Sequence, residues 1–159
     1  MKKINFCKGL VLGLCVLFIA APVFAEVGRI AEISGIDGAV WFKKSGTAEW
    51  KGAEKGMILL ENDEIKTGEG AKAEILLDVA GETGKLDLAP NTQLRIETMK
   101  KDPLTEDKTT LLDLAVGKVL VKAEKLKGSS SFQIKTPTSI CGVRGTLFEV
   151  TVEATEPKK

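Results

Sequence analysis

The sequence predicts an all-β fold, either a two-layer antiparallel sandwich of jelly-roll-like type or a flattened β-solenoid. Apolar and polar residues alternate with a period of two in short segments, and Gly, Pro, Asn and Asp residues separate these segments. After the first 25 residues, no window keeps the spacing of an amphipathic helix for three turns. The pattern predicts roughly ten short strands, which must bury their apolar faces against a second layer.

The first 25 residues are predicted to be a signal peptide. Three lysines without an acid precede an uncharged, mostly apolar run over residues 9–21, and small residues occupy positions 23 and 25. Cleavage is expected between Ala25 and Glu26. A retained anchor is the alternative, but the run is shorter than the ~20 residues that cross a bilayer. We therefore expect a periplasmic or secreted protein of a Gram-negative-type envelope, with no membrane span after cleavage.

Alternation is clearest between residues 72 and 79. Ala73, Ile75, Leu77 and Val79 share one face there, whereas Leu76 interrupts the polar face. The same period places other strands, in chain order, around Val40 and Phe42 and within residues 85–88, 93–97, 118–123, 132–135 and 148–153.

Turn residues separate these strands. Ile36-Asp37-Gly38 is typical of a tight connection between a strand ending near Ile33 and the one that holds Val40 and Phe42. Pro90 breaks the chain between two strands. The charged stretch Met99 to Lys108 lacks periodicity and is predicted to be an exposed loop. Residues 127–131 form a small polar connection, and residues 155–159 a frayed tail. The predicted domain spans residues 26–154.

The composition excludes several classes of function. The chain contains no His, which rules out a Ser-His-Asp triad and every zinc site with histidine ligands. Removing the three lysines of the leader from the 23 basic residues leaves 20 against 22 acidic residues. A weakly acidic chain has no electrostatic footprint for nucleic acid or anionic lipid. We expect no cofactor, no metal and no nucleic-acid partner.

Two acidic clusters, at residues 61–64 and 102–107, are candidates for catalytic or calcium-binding carboxylates. Glycoside hydrolysis needs two carboxyl groups that converge across a cleft, and the sequence contains no sign of convergence. The spacing of the acids also differs from that of a calcium loop. We interpret these charges as solvated turns and expect a protein that is not an enzyme, with a glycoside-acting enzyme as the less favoured alternative.

Cys141 is the one cysteine that remains after cleavage, so no partner exists for an internal disulfide. A lone thiol between Ile140 and Gly142 is expected to be a small, buried apolar residue. The alternative is a redox or cross-linking role.

The least generic segment runs from residue 132 to residue 150. It contains Thr136, Pro137, Thr138, Val143, Arg144, Gly145, Thr146 and Phe148. These residues resemble the TPT…VRGT-x-F-x-V signature of the FecR domain, a β-rich extracytoplasmic module of bacterial envelopes.

The resemblance extends upstream to residues 56–68, which are similar to the family's G-x-x-L-x-x-GD-x-I-x-TG segment. Asn62 replaces the usual Gly there, and Asn is the next residue best able to adopt a positive φ. In all, the resemblance covers about residues 30 to 152.

Physical roles can be assigned to the signature without reference to the family. Pro137 forces Thr136 into an extended conformation and so predicts a strand end where the chain changes direction. Arg144 lies in an apolar neighbourhood and is expected to be a structural clamp on carbonyls or a carboxylate of the adjoining turns. Contact with a ligand anion is the alternative. Gly145 would let the backbone pass close beneath the guanidinium.

Proteins of the FecR type are usually transmembrane regulators, with a cytoplasmic segment that holds a sigma factor and a periplasmic domain that senses a receptor. Only eight residues precede the apolar run here, and none follows Lys159. The resemblance therefore implies the bare periplasmic module, exported and released.

Two functions follow as hypotheses. The first is a non-catalytic binding or sensory module that docks an envelope protein by adding a strand to an exposed sheet edge, in the context of signal transduction. The second is a structural envelope protein that binds peptidoglycan or another glycan through Trp41 and Trp50. These tryptophans could instead close an edge of the sandwich. The oligomeric state is left open.

Overall fold

A computed structural model describes residues 26–78, 81–143, 145 and 147–153. Within these residues the chain forms 13 strands and no helix. The strands are β1 Val27–Gly28, β2 Ala31–Asp37, β3 Val40–Lys43, β4 Lys51–Gly52, β5 Ile58–Leu59, β6 Glu64–Thr67, β7 Lys72–Leu77, β8 Gly84–Leu88, β9 Gln93–Lys101, β10 Lys108–Ala123, β11 Ser131–Lys135, β12 Ile140–Val143 and β13 Leu147–Val152.

The strands form one curled sheet, whose two halves we call the first and the second sheet. The first sheet contains β4, β3, β6, β9, the N-terminal half of β10, β11 and β12, and β1 also pairs with β9. The second sheet contains β5, β2, β7, β8, the C-terminal half of β10 and β13. Every pairing is antiparallel except that of β10 with β11. The predicted all-β fold is confirmed, and its antiparallel pairing matches a sandwich better than a solenoid.

Strand β10 belongs to both sheets and is 16 residues long. It bends at Gly117, whose φ of 98° is unfavourable for any residue with a Cβ. A Cβ at this position would lie 2.4 Å from the Cα of Thr92. The Thr92 hydroxyl fixes the bend because it accepts a hydrogen bond from the Lys118 amide at 3.0 Å. Gly117 is therefore the corner at which the chain passes between the sheets.

A single apolar core lies between the sheets. The predicted inward row Ala73, Ile75 and Leu77 is buried, and Val79 lies outside the described residues. Both sheets supply the largest fully buried side chains, which include Ile33, Ile75, Leu77, Leu86 and Leu88 from the second sheet and Ile65, Leu94, Ile96, Met99, Leu112 and Phe132 from the first. Burial of each such side chain stabilises the fold by about 1.5–3 kcal/mol.

The prediction of an exposed loop over Met99 to Lys108 is correct only for its centre. Strand β9 continues to Lys101, and β10 already begins at Lys108. Met99 is fully buried because it pairs with Thr110 on the inward face of the ladder. A register shift in the β9–β10 ladder, in which Thr98 pairs with Leu111 and Ile96 with Leu112, breaks the period of two before Met99 and hid this strand from the pattern. The loop proper comprises residues 102–107.

Other local predictions are confirmed. Asn62 has a φ of 66°, as its replacement of a glycine required. The tight connection predicted at Ile36-Asp37-Gly38 is confirmed only at Gly38, whose φ is 80°, because β2 continues past Ile33 to Asp37. None of the described residues belongs to a helix that is long and apolar enough to cross a membrane. The predicted signal peptide with Ala25, and the tail at 155–159, lie outside the described residues.

Candidate functional site

A buried cluster of charges lies where the chain enters the fold. Arg29 follows β1 and is only 8% exposed, and Asp78 follows β7 and is 9% exposed. The guanidinium donates two hydrogen bonds of 2.6 Å to the carboxylate, from Nε to Oδ1 and from Nη2 to Oδ2. Such a bidentate pair fixes the orientation of both side chains.

Three further side chains complete this cluster. Arg29 also donates to the hydroxyls of Thr83 at 2.8 Å and Thr110 at 2.9 Å. Asp78 accepts hydrogen bonds from the Thr83 hydroxyl and, at 2.9 Å, from the Lys108 ammonium group. Burial alone would raise the pKa of Asp78, but the hydrogen bonds from Arg29, Thr83 and Lys108 outweigh it and hold this pKa below its ordinary value.

The chemistry available to this cluster is structural. Asp78 is ionised and hydrogen-bonded to the cationic side chains of Arg29 and Lys108, so it is not placed to take up a proton at neutral pH. The sequence analysis missed the cluster because Arg29 and Asp78 are 49 positions apart and neither belongs to a motif. Arg144, at which the sequence analysis expected a guanidinium clamp, lies outside the described residues, so that expectation stays a prediction.

The signature segment forms a hairpin and the strand after it. Strand β11 ends before Thr136, whose amide donates to the Ser139 carbonyl at 2.8 Å and whose hydroxyl accepts from the Ser139 amide at 3.1 Å. Pro137 and Thr138 are exposed at the tip of this turn. The strand end that Thr136-Pro137 predicted is therefore present.

The remaining signature residues lie along β12 and β13. Val143 pairs with Phe132 and faces the core, and Phe148 packs edge-on against Phe132 with ring centroids 6.4 Å apart. Gly145 has a φ of 67°, and a Cβ there would lie 2.7 Å from the Cα of Lys125. This close approach is to the backbone of Lys125, and the predicted approach to the Arg144 guanidinium stays a prediction. Thr146, like Arg144, lies outside the described residues.

Strands β12 and β13 are both edge strands. Among the described residues, β12 pairs with β11 alone and β13 with β10 alone. The two strands are consecutive in the chain and lie on the same side of the fold, one at the edge of each sheet. The signature segment therefore forms an open side of the molecule.

The hydrogen bonds show which backbone groups point outward from β12. The bonded pair of Thr136 and Ser139 fixes the alternation along the hairpin. Ile140 and Gly142 consequently turn their N–H and C=O groups away from β11. Ile140 is 63% exposed, and β12 carries no charged side chain. Natural edge strands are commonly protected by charges, which β12 lacks.

The same alternation can be traced to β13. The amide of Ala89 donates to the Lys118 carbonyl and that of Glu124 to the Thr83 carbonyl, so even-numbered residues of β10 bond with β8. Odd-numbered residues of β10 then bond with Phe148, Val150 and Val152. The backbone groups of Glu149 and Thr151 therefore point to the open edge.

A groove of about 860 Å³ lies between the two edge strands. Its walls are the β13 edge on one side and Cys141 with the Thr136–Ser139 turn on the other, and the bend of β10 closes one end. Cys141 is half-buried and shares the inward face with Ile134. The thiol that was expected to be buried thus reaches the groove.

Trp41 and Trp50, the predicted ligand surface, lie close together on the first sheet. The Lys66 ammonium is 5.3 Å from the centroid of the Trp41 ring and 4.4 Å from that of Trp50. Lys43 is 5.0 Å from the Trp50 ring. Trp41 pairs with Lys66 across β3 and β6, so this cluster follows from the register. Both rings are half-buried and are already engaged in cation–π contacts.

The acidic clusters mostly hold turns together. Asp63 is buried and accepts hydrogen bonds from the amides of Ser45 and Leu60, and Glu61 accepts one from the Met99 amide. Asp102 accepts one from the Leu104 amide at 2.7 Å. Across residues 26–78, 81–143, 145 and 147–153, no group of His, Cys, Asp and Glu side chains could hold a metal ion.

These features define an all-β domain with a buried apolar core and an open side along β12 and β13. A family model described as FecR protein matches residues 63–158, which is more than half of the chain. The chain therefore belongs to the FecR family, a regulatory and sensory family that is typically associated with the cell envelope. The resemblance described above began at about residue 30, and its part over residues 30–62 lies outside this match. No curated protein and no solved structure matches the chain.

Proposed function

We propose that the protein is a non-catalytic binding and sensory module of the bacterial envelope, which docks a protein partner in signal transduction. The single observation that carries this proposal is that β12 and β13, which hold the family signature, are both edge strands beside one groove. A partner would dock by adding an extended strand to this open side, since backbone hydrogen bonds supply affinity in that mode.

The other edge strands offer fewer backbone groups for pairing. Strands β4 and β5, at the far ends of the two sheets, contain two residues each. A strand of two residues offers too few backbone groups for stable pairing. β12 and β13 have four and six residues, respectively.

The chemistry of the described residues supports a role in binding. The buried carboxylate Asp78 is bound by Arg29 and Lys108, and Asp63 and Asp102 accept hydrogen bonds from backbone amides of turns. Placement in the periplasm rests on the predicted signal peptide, residues 1–25, with cleavage before Glu26.

Proline substitutions on the two edges test the proposal. Gly142→Pro and Thr151→Pro each remove an amide that points to the open side and leave the ladder with β11 or β10 intact. Gly142→Ala and Thr151→Ala keep the amide, and a Cβ at Gly142 meets no atom within 4 Å. The partner is captured from a periplasmic extract on immobilised protein and quantified for all four variants.

Retention of one specific protein that is lost with a proline variant and kept with its alanine control supports strand docking. Retention that is equal in all variants contradicts it. Glycan binding predicts a different result, namely that the protein sediments with cell-wall sacculi and that free oligosaccharide and Trp50→Ala both abolish sedimentation. This second function has less support, since the ammonium groups of Lys43 and Lys66 lie over the rings that a sugar would use.

A further inference from the structure

We infer that the partner's strand pairs with β13 and alternates apolar residues with lysine or arginine. This inference rests on the proposed function and specifies the edge and the chemistry of the partner. It follows from the incomplete burial beneath β13, from the charges along the groove, and from the direction of the β13 backbone groups.

The apolar face of β13 is only partly covered. Val119 and Val121 on β10 are fully buried, whereas their partners Val150 and Phe148 on β13 are half-buried. Burial decreases in the same way towards the edge of the first sheet, where Phe132 on β11 is buried and Val143 opposite it on β12 is not. A strand placed beside β13 would bring its inward side chains over Phe148, Val150 and Val152. These side chains must be apolar to complete the core at this point.

The charges of the groove are of one sign. Glu149 and Glu153 line it, and none of its lining residues among those described is basic. Lys118 binds Glu149 at 3.0 Å but does not line the groove. Opposite charges on directly facing residues of an antiparallel pair stabilise that pair, and like charges destabilise it. An added strand is therefore expected to place cations opposite these glutamates.

The strand register shows that one strand can meet both requirements, namely apolar side chains inward and cationic side chains outward. Glu149 and Thr151 point their backbone groups to the open edge and their side chains to the outer face, as their pairing with Leu120 and Lys118 shows. Residues of the partner that face Glu149 lie on the same outer face, and their neighbours point inward. The period of two thus yields a strand that is cationic outside and apolar inside.

Synthetic peptides test this inference on the exported protein. The probe is a blocked decapeptide of alternating valine and lysine, and its counterpart alternates valine and glutamate. A third peptide has the composition of the first with five valines followed by five lysines, which removes the alternation. Binding is measured by fluorescence anisotropy at about 50 mM salt, where screening of surface charges is modest. Cys141, which lines the groove, reports occupancy through its rate of alkylation, with the label located by mass spectrometry.

We expect the valine–lysine peptide to bind at least about tenfold more tightly than the other two and to slow alkylation of Cys141. Thr151→Pro should weaken this binding about tenfold, whereas Thr151→Ala and Gly142→Pro should leave it unchanged. Combined replacement of Glu149 and Glu153 by Gln should reduce the preference over the valine–glutamate peptide to less than about threefold.

Several results would overturn the inference. Equal binding of the lysine and glutamate peptides would exclude selection by charge, and equal binding of the block peptide would exclude strand pairing as its source. Binding that is lost with Gly142→Pro and kept with Thr151→Pro would place the strand on β12. None of these results contradicts the proposed docking of a protein, which the capture experiment tests separately. Absence of binding by all three peptides would also reject the inference.

Discussion

Arg29 and Asp78 are joined by two hydrogen bonds of 2.6 Å, although 49 positions separate them in the chain. The pair connects the residue after β1 to the end of β7, and Thr110 ties it to β10 in addition. Asp78 has a φ of 68°, so the carboxylate is presented from a left-handed turn position. The first strand of the fold is thereby fastened to the sheets by a charged contact and not by apolar packing alone.

Removal of one partner of this pair should be costly. Arg29→Met would leave the Asp78 carboxylate buried with one cation fewer, and we expect the free energy of unfolding to fall by about 3–5 kcal/mol. Urea denaturation followed by tryptophan fluorescence measures this change. The matched control is Arg95→Met. The Arg95–Asp113 ion pair has a similar distance between its charged groups, 2.7 Å, but lies on the surface. The control should lose about 1 kcal/mol or less. A similar loss in both variants would contradict the buried role of Arg29.

The stability of the protein should depend on pH through Asp78. Because its pKa in the folded state is below the ordinary value of 3.8, its contribution is fully present above that value. The contribution is lost as the pH falls through the folded-state pKa. Urea unfolding at a series of pH values should therefore show a decline below about pH 4, and the decline should be smaller in Asp78→Asn. The same decline in both proteins would assign it to other carboxylates.

Gly117 should not tolerate a side chain. Gly117→Ala would place a Cβ at 2.4 Å from Thr92 and force a φ of 98° on an L-residue, so we expect a loss of at least about 2 kcal/mol. Thermal unfolding by circular dichroism measures it. Gly142→Ala is the control, since its Cβ meets no atom within 4 Å and its stability should change by less than about 0.5 kcal/mol. A stable Gly117→Ala variant would mean that β10 does not bend there.

The lysine between the two tryptophans should contribute modestly to stability. Lys66→Met removes the ammonium group from both rings, and we expect a loss of about 0.5–1 kcal/mol together with a change in tryptophan emission. Lys72→Met, on an exposed position of β7, is the control and should change neither property. If Lys66→Met leaves the emission unchanged, the cation–π contacts are absent in solution.

Much of the fold could be predicted from local patterns. Ala73, Ile75 and Leu77 recur at every second position, and this period indicates which face is buried even though Leu76 lies on the polar face. Asn62 and Gly38 could be predicted because a turn with positive φ restricts the residue type. The turn after β11 was recognisable from Thr136-Pro137 because proline constrains its neighbour.

The features that escaped prediction depend on contacts that are distant in the sequence. Nothing near Arg29 indicates that its partner is Asp78, because the contact arises only when the segment after β1 packs against the end of β7 in the other sheet. The open side is equally non-local. The patterns of β12 and β13 resemble those of interior strands, and only the strand order reveals that each has a single neighbour. The family signature located this region, and the strand order explained its accessibility.

The continuous course of β10 through both layers has a mechanical consequence. A polypeptide ribbon that serves as a member of each layer cannot leave one of them without disturbing the other, so the two layers should melt together in a single all-or-none step. Tension applied by a bound partner at β13 would likewise be transmitted to the opposite layer through this shared ribbon. Docking on one side could therefore affect the other layer directly.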